Sequence, residues 1–209
     1  MTNYITTYCH ILSNECWVNG KKIAMPNANE DVTKRLYHYL ELDYPKFFKM
    51  DRLTKIAFLG AELIKKENTE VLTYKDDEIA LLFSNAKSSA ETDLNFQNTY
   101  ENGGVPSPAL FVYTLPNILL GEIAIRNKWY GESVFTISEN FDANYFSDYC
   151  TILLNKSEKA VLCGWININN ENVETFLFFV EKKDLKQLHL HLNSEQLLEL
   201  FHTKIKKNG

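Results

Sequence analysis

The sequence lacks the features that mark nucleic-acid binding, membrane insertion or secretion. Its 209 residues carry 22 basic and 27 acidic side chains, and a net charge of −5 argues against general nucleic-acid binding, which needs clustered cations facing phosphates. The short basic end, residues 204–207, is expected to be a solvated terminus. The longest apolar runs, such as 176–180, are too short to cross a bilayer, and no basic segment followed by an apolar run opens the chain. We therefore expect a cytoplasmic protein with no membrane span.

Closely spaced cysteines are also missing. The sequence holds four scattered cysteines without any C-x-x-C pair: Cys9, Cys16, Cys150 and Cys163. In a chain with no secretory signal this pattern predicts reduced thiols that mostly fill the core. His189 and His191 are close in sequence, but no nearby cysteine or carboxylate completes a set of metal ligands. We expect a surface pair there, and neither a metal nor another cofactor.

What the sequence does contain is an alternation of strand-like and helix-like segments. Runs rich in β-branched and aromatic residues predict strands at 4–12, 79–83, 133–137, 160–163 and 175–180. Apolar residues at three-to-four spacing predict helices at 51–65, 88–100, 116–126, 142–154 and 194–204. Asp51 is the predicted N-cap of the first helix. The order β-α-β-α-β-α-β-β plus a terminal helix predicts an α/β fold, with a mostly parallel five-stranded sheet flanked by helices.

Three short motifs follow one another along this pattern. The helix at 49–61 opens with Met-Asp-Arg-x-Thr. The stretch 106–125 contains Ser-Pro, then Pro-Asn, then Ile-Ala-Ile, and the third predicted strand ends in Thr-Ile-Ser at Ser138. In order and spacing they resemble the N-terminal half of the β-ketoacyl synthases of the thiolase-like superfamily, from about residue 4 to residue 180. The resemblance implies a single ketosynthase N-terminal-like domain over residues 1–209, with the C-terminal half of the fold absent.

The resemblance also implies where a nucleophile belongs. In ketosynthases the strand ending Thr-Ile-Ser is followed by Thr-Ala-Cys, and this cysteine attacks the acyl thioester at the start of the next helix, where the helix dipole favours its thiolate. Here Phe141 stands at that position, and a benzyl ring forms no thioester. Its neighbours Asn140 and Asp142 offer no thiol, and Cys150 lies more than two helical turns farther on.

The catalytic histidines are the second departure from the family. In active ketosynthases they belong to the C-terminal half, and His189, His191 and His202 match none of the family's histidine motifs. Covalent catalysis needs a nucleophile and an acid–base group. We therefore expect no condensation by this chain alone.

The resemblance implies a non-catalytic subunit of the chain-length-factor type. Such a subunit pairs with a full-length, active β-ketoacyl-ACP synthase and meets acyl carrier protein only indirectly; half-length versions resemble those of aryl-polyene and flexirubin-type pathways. A lone half would leave an apolar helical face uncovered, which favours an interface with a partner or with a second copy. In the family the strand before the nucleophile pairs across the dimer, so the implied interface residues are Val134, Phe135, Thr136 and Ile137.

Other interpretations remain open at this point. Asn117, Glu122 and Phe141 are candidates for lining an acyl tunnel, with capping or packing as the alternative for each. The second hypothesis is a stand-alone or homodimeric protein that binds acyl groups or acyl carrier protein, for which a pocket beside Phe141 would be diagnostic. A hydrolase using Ser138 or Asp142 is disfavoured, because the sequence has no G-x-S-x-G elbow.

Overall fold

The structure is a computed structural model and describes residues 2–169, 172–183 and 190–203. Within these ranges there are eight strands: β1 (Thr2–Leu12), β2 (Cys16–Val18), β3 (Lys21–Lys22), β4 (Ile79–Asn85), β5 (Ser133–Ile137), β6 (Ala160–Asn169), β7 (Asn172–Lys183) and β8 (Leu190–His191). The same ranges hold seven α-helices: α1 (Val32–Tyr39), α2 (Arg52–Glu67), α3 (Ala90–Tyr100), α4 (Pro108–Val112), α5 (Ile118–Asn127), α6 (Ala143–Asn155) and α7 (Ser194–His202). Short 3₁₀ helices lie at Pro45–Lys49, Thr69–Thr73 and Glu101–Gly103. Over the described residues, no helix is both long enough and apolar enough to cross a bilayer.

All the described strands belong to one sheet, ordered β3-β2-β1-β7-β6-β4-β5, with β8 paired to β1. The pairs β4–β5 and β4–β6 are parallel, whereas β6–β7 and β7–β1 are antiparallel. Because β7 runs against both neighbours, β1, β6, β4 and β5 all point the same way. The α/β class and these strand directions confirm the prediction. The five-stranded sheet does not hold, because β2, β3 and β8 extend it and the antiparallel strand lies inside the sheet.

The sheet separates two hydrophobic layers. Side chains alternate along a strand, so Leu81 and Phe83 of β4 point to one side and Ala80 and Leu82 to the other. We call the side covered by α1, α2 and α5 the α2 face, and the side covered by α6 and α7 the α6 face. All seven residues of β4 are buried, as the uniformly apolar run predicts.

Helix α2 packs closely on the centre of the sheet. Asp51 accepts a hydrogen bond from the Thr54 backbone N–H at 2.9 Å, which confirms it as the N-cap. A Cβ at Gly60 would lie 2.5 Å from Leu177 Cδ2, so the glycine lets the helix approach this close without displacing the leucine side chain. The helix thereby packs directly against β7.

The predicted histidine pair falls partly outside the described residues, since His189 is not among them. His191 lies in β8 opposite Tyr4, with 4.9 Å between the two ring centroids. The basic segment 204–207 also lies outside the described ranges.

A buried carboxylate ties β7 to the segment that follows α2. Glu181 is 0% exposed, and its carboxylate accepts hydrogen bonds from Tyr74 Oη at 2.6 Å and Asn68 Nδ2 at 3.1 Å. Lys183 Nζ completes the set at 2.7 Å and also pairs with Glu70. The buried charge of Glu181 therefore has several partners, as burial requires.

Replacing Glu181 by Gln tests how much this network stabilises the fold. Losing the charge while keeping the size should lower the free energy of unfolding by about 2–3 kcal/mol at neutral pH, since hydrogen bonds to charged groups contribute that much. Urea unfolding measures the change. Glu67→Gln, at an exposed position nearby, is the control and should stay within about 0.5 kcal/mol of the wild type.

The same variant should change the acid sensitivity of the fold. Burial raises the pKa of Glu181, but hydrogen bonds from Lys183, Thr6 and Tyr74 outweigh burial and hold that pKa below its usual value. Such a carboxyl stabilises the fold above its unfolded pKa, and the contribution is lost as the pH falls through the folded value. Below about pH 4.3 the wild type should lose this stabilisation and the Gln variant should not. Equal acid sensitivity of the two proteins would contradict this account of Glu181.

Candidate functional site

The carboxyl ends of β4 and β5 form the point where the chain leaves the sheet toward opposite faces. After β4 it enters α3, α4 and α5, whose last helix covers the α2 face, and after β5 it enters α6 on the other face. Ser138 N–H donates to the Asn85 carbonyl at 3.0 Å, so the two strand ends stay side by side. In α/β sheets a crevice for ligands lies at such a divergence.

Phe141 lies in this region, between β5 and α6. It directly precedes Asp142, whose carboxylate caps α6 by accepting the Tyr145 backbone N–H at 3.0 Å. The Phe141 ring is 9% exposed and stacks on Phe201 at 4.6 Å and on Phe146 at 5.4 Å between centroids. Phe176 meets it edge-on at 5.5 Å. Protein rings therefore fill the space beside Phe141, where the stand-alone binding hypothesis expected a pocket.

The polar groups around Phe141 are engaged with the backbone. Ser138 Oγ donates to the Asn140 carbonyl at 2.9 Å, and Asp142 serves as the helix cap. Cys150 is fully buried, and its sulfur faces Cys163 at 3.1 Å. Ser138 and Asp142, the two residues of the hydrolase hypothesis, are thus both bonded to nearby backbone groups, and that hypothesis gains no support from the geometry.

Glu122 is buried in an ion pair. Its Oε1 accepts a hydrogen bond from Tyr113 Oη at 3.1 Å, and its Oε2 lies 2.6 Å from Lys46 Nζ. Burial and the neighbouring Glu122 carboxylate both raise the pKa of Tyr113. This pairing gives Glu122 a structural role between α5 and the 3₁₀ helix at Pro45–Lys49, and its role in a tunnel stays a prediction.

Asn117 lies at the mouth of an open groove between α5 and β5. The residue is exposed at the start of α5 and caps no backbone N–H with its side chain. The groove has a volume of about 550 Å³ and is lined by Asn117, Ile118, Leu120, Gly121, Ala124, Ser133 and Phe135. Its lining is mostly apolar, and its wall includes the strand that the sequence assigns to an interface.

The sheet separates the three tunnel candidates. Phe135 packs with the α2-face cluster, on the side of α5 and the groove, whereas Val134 packs with the α6-face cluster that contains Phe141. Asn117 and Glu122 therefore belong to one side of β5 and Phe141 to the other. Sequence spacing alone did not reveal this division.

Strand β5 forms one edge of the sheet, and among the described strands it pairs only with β4. Leu81 N–H donates to the Glu132 carbonyl at 2.8 Å, and Ser138 N–H donates to the Asn85 carbonyl. Backbone groups alternate along a strand, so even-numbered residues of β5 face β4. The N–H and C=O groups of Ser133, Phe135 and Ile137 consequently point to the free edge.

Helix α6 supports this edge strand. Tyr149 Oη donates to Glu132 Oε1 at 3.4 Å, and Tyr145 belongs to the same hydrophobic cluster as Val134 of the strand. Burial raises the pKa of Tyr145. The helix after Phe141 thus packs on one face of β5, while the edge of β5 that points away from β4 stays open.

The sequence and the structure were compared with those of known proteins. No family model and no curated protein matches the sequence. Among solved structures, the ishigamide ketosynthase/chain length factor superposes with a TM-score of 0.65 at 16% identity, over 90% of this chain and 64% of that one. The ketosynthase ApeO in complex with its chain length factor ApeC, from Xenorhabdus doucetiae, gives 0.57 at 13% identity, over 99% and 92%. AntDE:AntF, a type II PKS acyl-carrier protein in complex with its ketosynthase bound to the hexaketide, gives 0.59 at 12%, over 87% and 62%.

The chain has the ketosynthase fold. It spans less than two thirds of the length of the ishigamide and AntDE:AntF chains, and nearly the whole of the chain from the ApeO–ApeC complex. At these identities the likeness establishes the fold, and the element order predicted from the sequence agrees with it.

Within this ketosynthase fold, exposed apolar side chains concentrate in the segment that runs from α3 to the end of β5. Of the thirteen large apolar residues exposed in the described part of the chain, nine lie between residues 94 and 137: Leu94, Tyr100, Val105, Phe111, Val112, Leu115, Ile125, Tyr130 and Ile137. We call these nine residues the apolar belt. Concentrations of this kind mark interaction surfaces. The sequence analysis missed the belt, although the low apolar periodicity of α3 and the Pro-rich stretch 106–116 were the available signal.

The α6 face is less open than the sequence predicts. Helix α7 covers part of it with Leu197 and Leu200, and Phe201 adds its ring to the Phe141 stack. The expectation of an uncovered apolar helical face is therefore wrong for this part of the molecule, because the C-terminal helix of the chain itself lies there.

Truncating Phe141 to Ala tests whether its ring is a packing element. Removal of a buried aromatic ring should lower the free energy of unfolding by about 3–5 kcal/mol, because the surrounding rings close the cavity only in part. Tyr130→Ala, at an exposed aromatic position, is the control and should change stability by less than about 0.5 kcal/mol. Thermal and urea unfolding measure both. A Phe141 variant as stable as the control would contradict the packing role.

Proposed function

We propose that this chain is a non-catalytic ketosynthase-like subunit of the chain-length-factor type. It pairs in the cytoplasm with an active β-ketoacyl-ACP synthase that serves polyene or fatty-acid-like biosynthesis. The observation that carries the proposal is the free edge of β5, which ends in the exposed Ile137 of the apolar belt, a few residues before a helix start that holds a phenylalanine. Two of the structural neighbours are ketosynthases together with chain length factors, which supports this choice.

The absence of catalysis follows from the chemistry at the start of α6. Phe141 offers no nucleophile. The Asp142 carboxylate accepts the hydrogen bond from the Tyr145 N–H and places its own negative charge at the start of the helix. A carboxylate at a helix N-terminus disfavours a second anion beside it, whereas an attacking cysteine must be a thiolate. The chain therefore contributes structure to a 3-oxoacyl-ACP synthase complex, and the partner contributes the reacting groups.

Pairing through β5 supplies what the free edge lacks. A partner strand would satisfy the outward N–H and C=O groups of Ser133, Phe135 and Ile137, and side chains next to the ladder would bury part of the apolar belt. Val134 and Thr136 face the sheet's own β4 through their backbone groups, so they support the interface from within. This assigns distinct roles to the four predicted interface residues.

The groove between α5 and β5 is a candidate for one wall of an acyl-binding tunnel in the complex. It is apolar, has a volume of about 550 Å³ and opens beside the free edge, so a docked partner would close it. Asn117 and Phe135 are the residues of this chain that would meet an acyl group there. In this arrangement Phe141 lies on the other face and keeps its packing role.

The second candidate function is a stand-alone or homodimeric acyl-binding protein. The same groove favours it, since an apolar groove of this size accepts an acyl chain without any other subunit. In this case a second copy of the chain would cover β5. Binding of an acyl thioester to the purified chain, without a ketosynthase present, would favour this alternative.

Ile137→Lys tests the proposed interface. Ile137 is 61% exposed at the end of the edge strand, so the change should leave the fold stable while placing a charge where the partner packs. We expect the affinity for a full-length ketosynthase partner to fall about tenfold or more, which corresponds to at least about 1.4 kcal/mol. Co-purification and titration calorimetry measure the loss.

Leu72→Lys is the matched control. Leu72 is 67% exposed, but it lies on the 3₁₀ helix Thr69–Thr73, far along the chain from β5. It should leave the affinity unchanged. An equal loss with both variants, or no complex with the unaltered chain, would contradict the proposed pairing.

The purified chain should form no covalent acyl intermediate. Incubation with acyl-ACP and malonyl-ACP, followed by intact-mass analysis, should leave the mass of the chain unchanged, because Cys150 and Cys163 are buried and no thiol stands at the start of α6. The catalytic ketosynthase, treated in parallel, is the positive control. An acyl adduct on the chain would overturn the non-catalytic assignment.

A further inference from the structure

Two cysteines that no proposed function uses lie in direct contact under α6. The Sγ atoms of Cys150 on α6 and Cys163 on β6 are 3.1 Å apart, and both residues are 0% exposed. A disulfide needs about 2.05 Å between the sulfurs, so a shift of about 1 Å would bring them to bonding distance. All four cysteines of the chain are buried, so burial alone does not distinguish this pair. Proximity does.

A bond between these two cysteines would affect the structure because of where they lie. Cys150 follows Tyr149, whose hydroxyl holds Glu132 beside β5, and it lies one turn beyond Phe146 of the Phe141 stack. Cys163 lies in β6, which pairs directly with β4. A covalent link would fix to the sheet the helix that supports the edge strand.

We propose that Cys150 and Cys163 form a reversible intramolecular disulfide on exposure to hydrogen peroxide, and that this bond locks α6 onto β6. Any effect of the bond on partner binding rests on the proposed function, whereas the disulfide itself does not.

The chemistry balances with peroxide as the oxidant. One thiol loses its proton, and its sulfur attacks a peroxide oxygen; the O–O bond breaks, and a sulfenic acid and hydroxide form, the latter taking the released proton to give water. The second thiol then attacks the sulfenyl sulfur, the S–O bond breaks, and the departing hydroxide takes the thiol proton to give a second water. The two sulfurs together lose two electrons, and peroxide is reduced to two waters.

The surroundings of the pair determine how fast this occurs. Burial raises the pKa of the Cys163 thiol, and its contact with Cys150 acts in the same direction. Since the thiolate is the reactive form, the reaction should be slow in the native chain and faster under conditions that promote local opening of α6.

Peptide mapping after peroxide treatment tests the proposal. The full-length chain is treated in native buffer and in urea below the unfolding transition, then alkylated, digested and analysed without reductant. We expect a linked Cys150–Cys163 peptide in at least one condition, and its loss on addition of dithiothreitol. The linked chain should melt about 5–10 °C above the reduced chain, as a disulfide closing a short loop predicts.

Cysteine variants make the outcome specific. The double variant Cys9→Ala/Cys16→Ala should still form the link, whereas Cys163→Ala should lose it and leave a sulfenic acid at Cys150 that dimedone traps. The proposal is overturned if the pair stays unlinked in both conditions, or if another pair links instead. Because the reduced chain is used to measure ketosynthase binding, failure here is separate from failure of the proposed function.

Discussion

The proposed pairing depends most on one exposed edge of the sheet, that of strand β5. Strand β5 has its inner backbone groups bonded to β4, while the N–H and C=O groups of Ser133, Phe135 and Ile137 point outward. Unpaired edges of this kind promote association and are usually blunted by charge, proline or a covering element. Here the edge strand ends in the exposed Ile137, and α6 packs on one face of it beside Val134. Such an edge is suited to receive another strand.

The start of α6 explains why this chain would supply structure and no chemistry. A ketosynthase needs an anionic sulfur at a helix N-terminus, which the positive end of the helix dipole favours. In this chain the Asp142 carboxylate takes that electrostatic role, and Phe141 fills the adjacent space with a ring packed on Phe146, Phe176 and Phe201. In the proposed subunit, this helix start packs an aromatic core where a catalytic ketosynthase would hold its thiol.

Some features could be predicted from sequence because local chemistry determines them. The apolar run of β4 predicts a strand buried on both faces, and the position of Asp51 predicts a helix cap. The phenylalanine that follows Thr-Ile-Ser is visible in the sequence itself. Other features depend on contacts distant in sequence. The pairing of Glu122 with Lys46 depends on how α5 packs beside the 3₁₀ helix at Pro45–Lys49, and the separation of Asn117 from Phe141 depends on which face of the sheet each element covers. Strands as short as β3 and β8 carry too few residues to show a pattern.

Hydrogen exchange at β5 tests the central claim most directly. Amide exchange of the chain is measured alone and with a saturating full-length ketosynthase, by mass spectrometry with fragmentation. We expect the amides of Phe135 and Ile137 to exchange rapidly in the free chain and to become protected in the complex, while those of Val134 and Thr136 are protected in both. A complex that forms and leaves the exchange of Phe135 and Ile137 unchanged would contradict the assignment of β5 as the pairing edge.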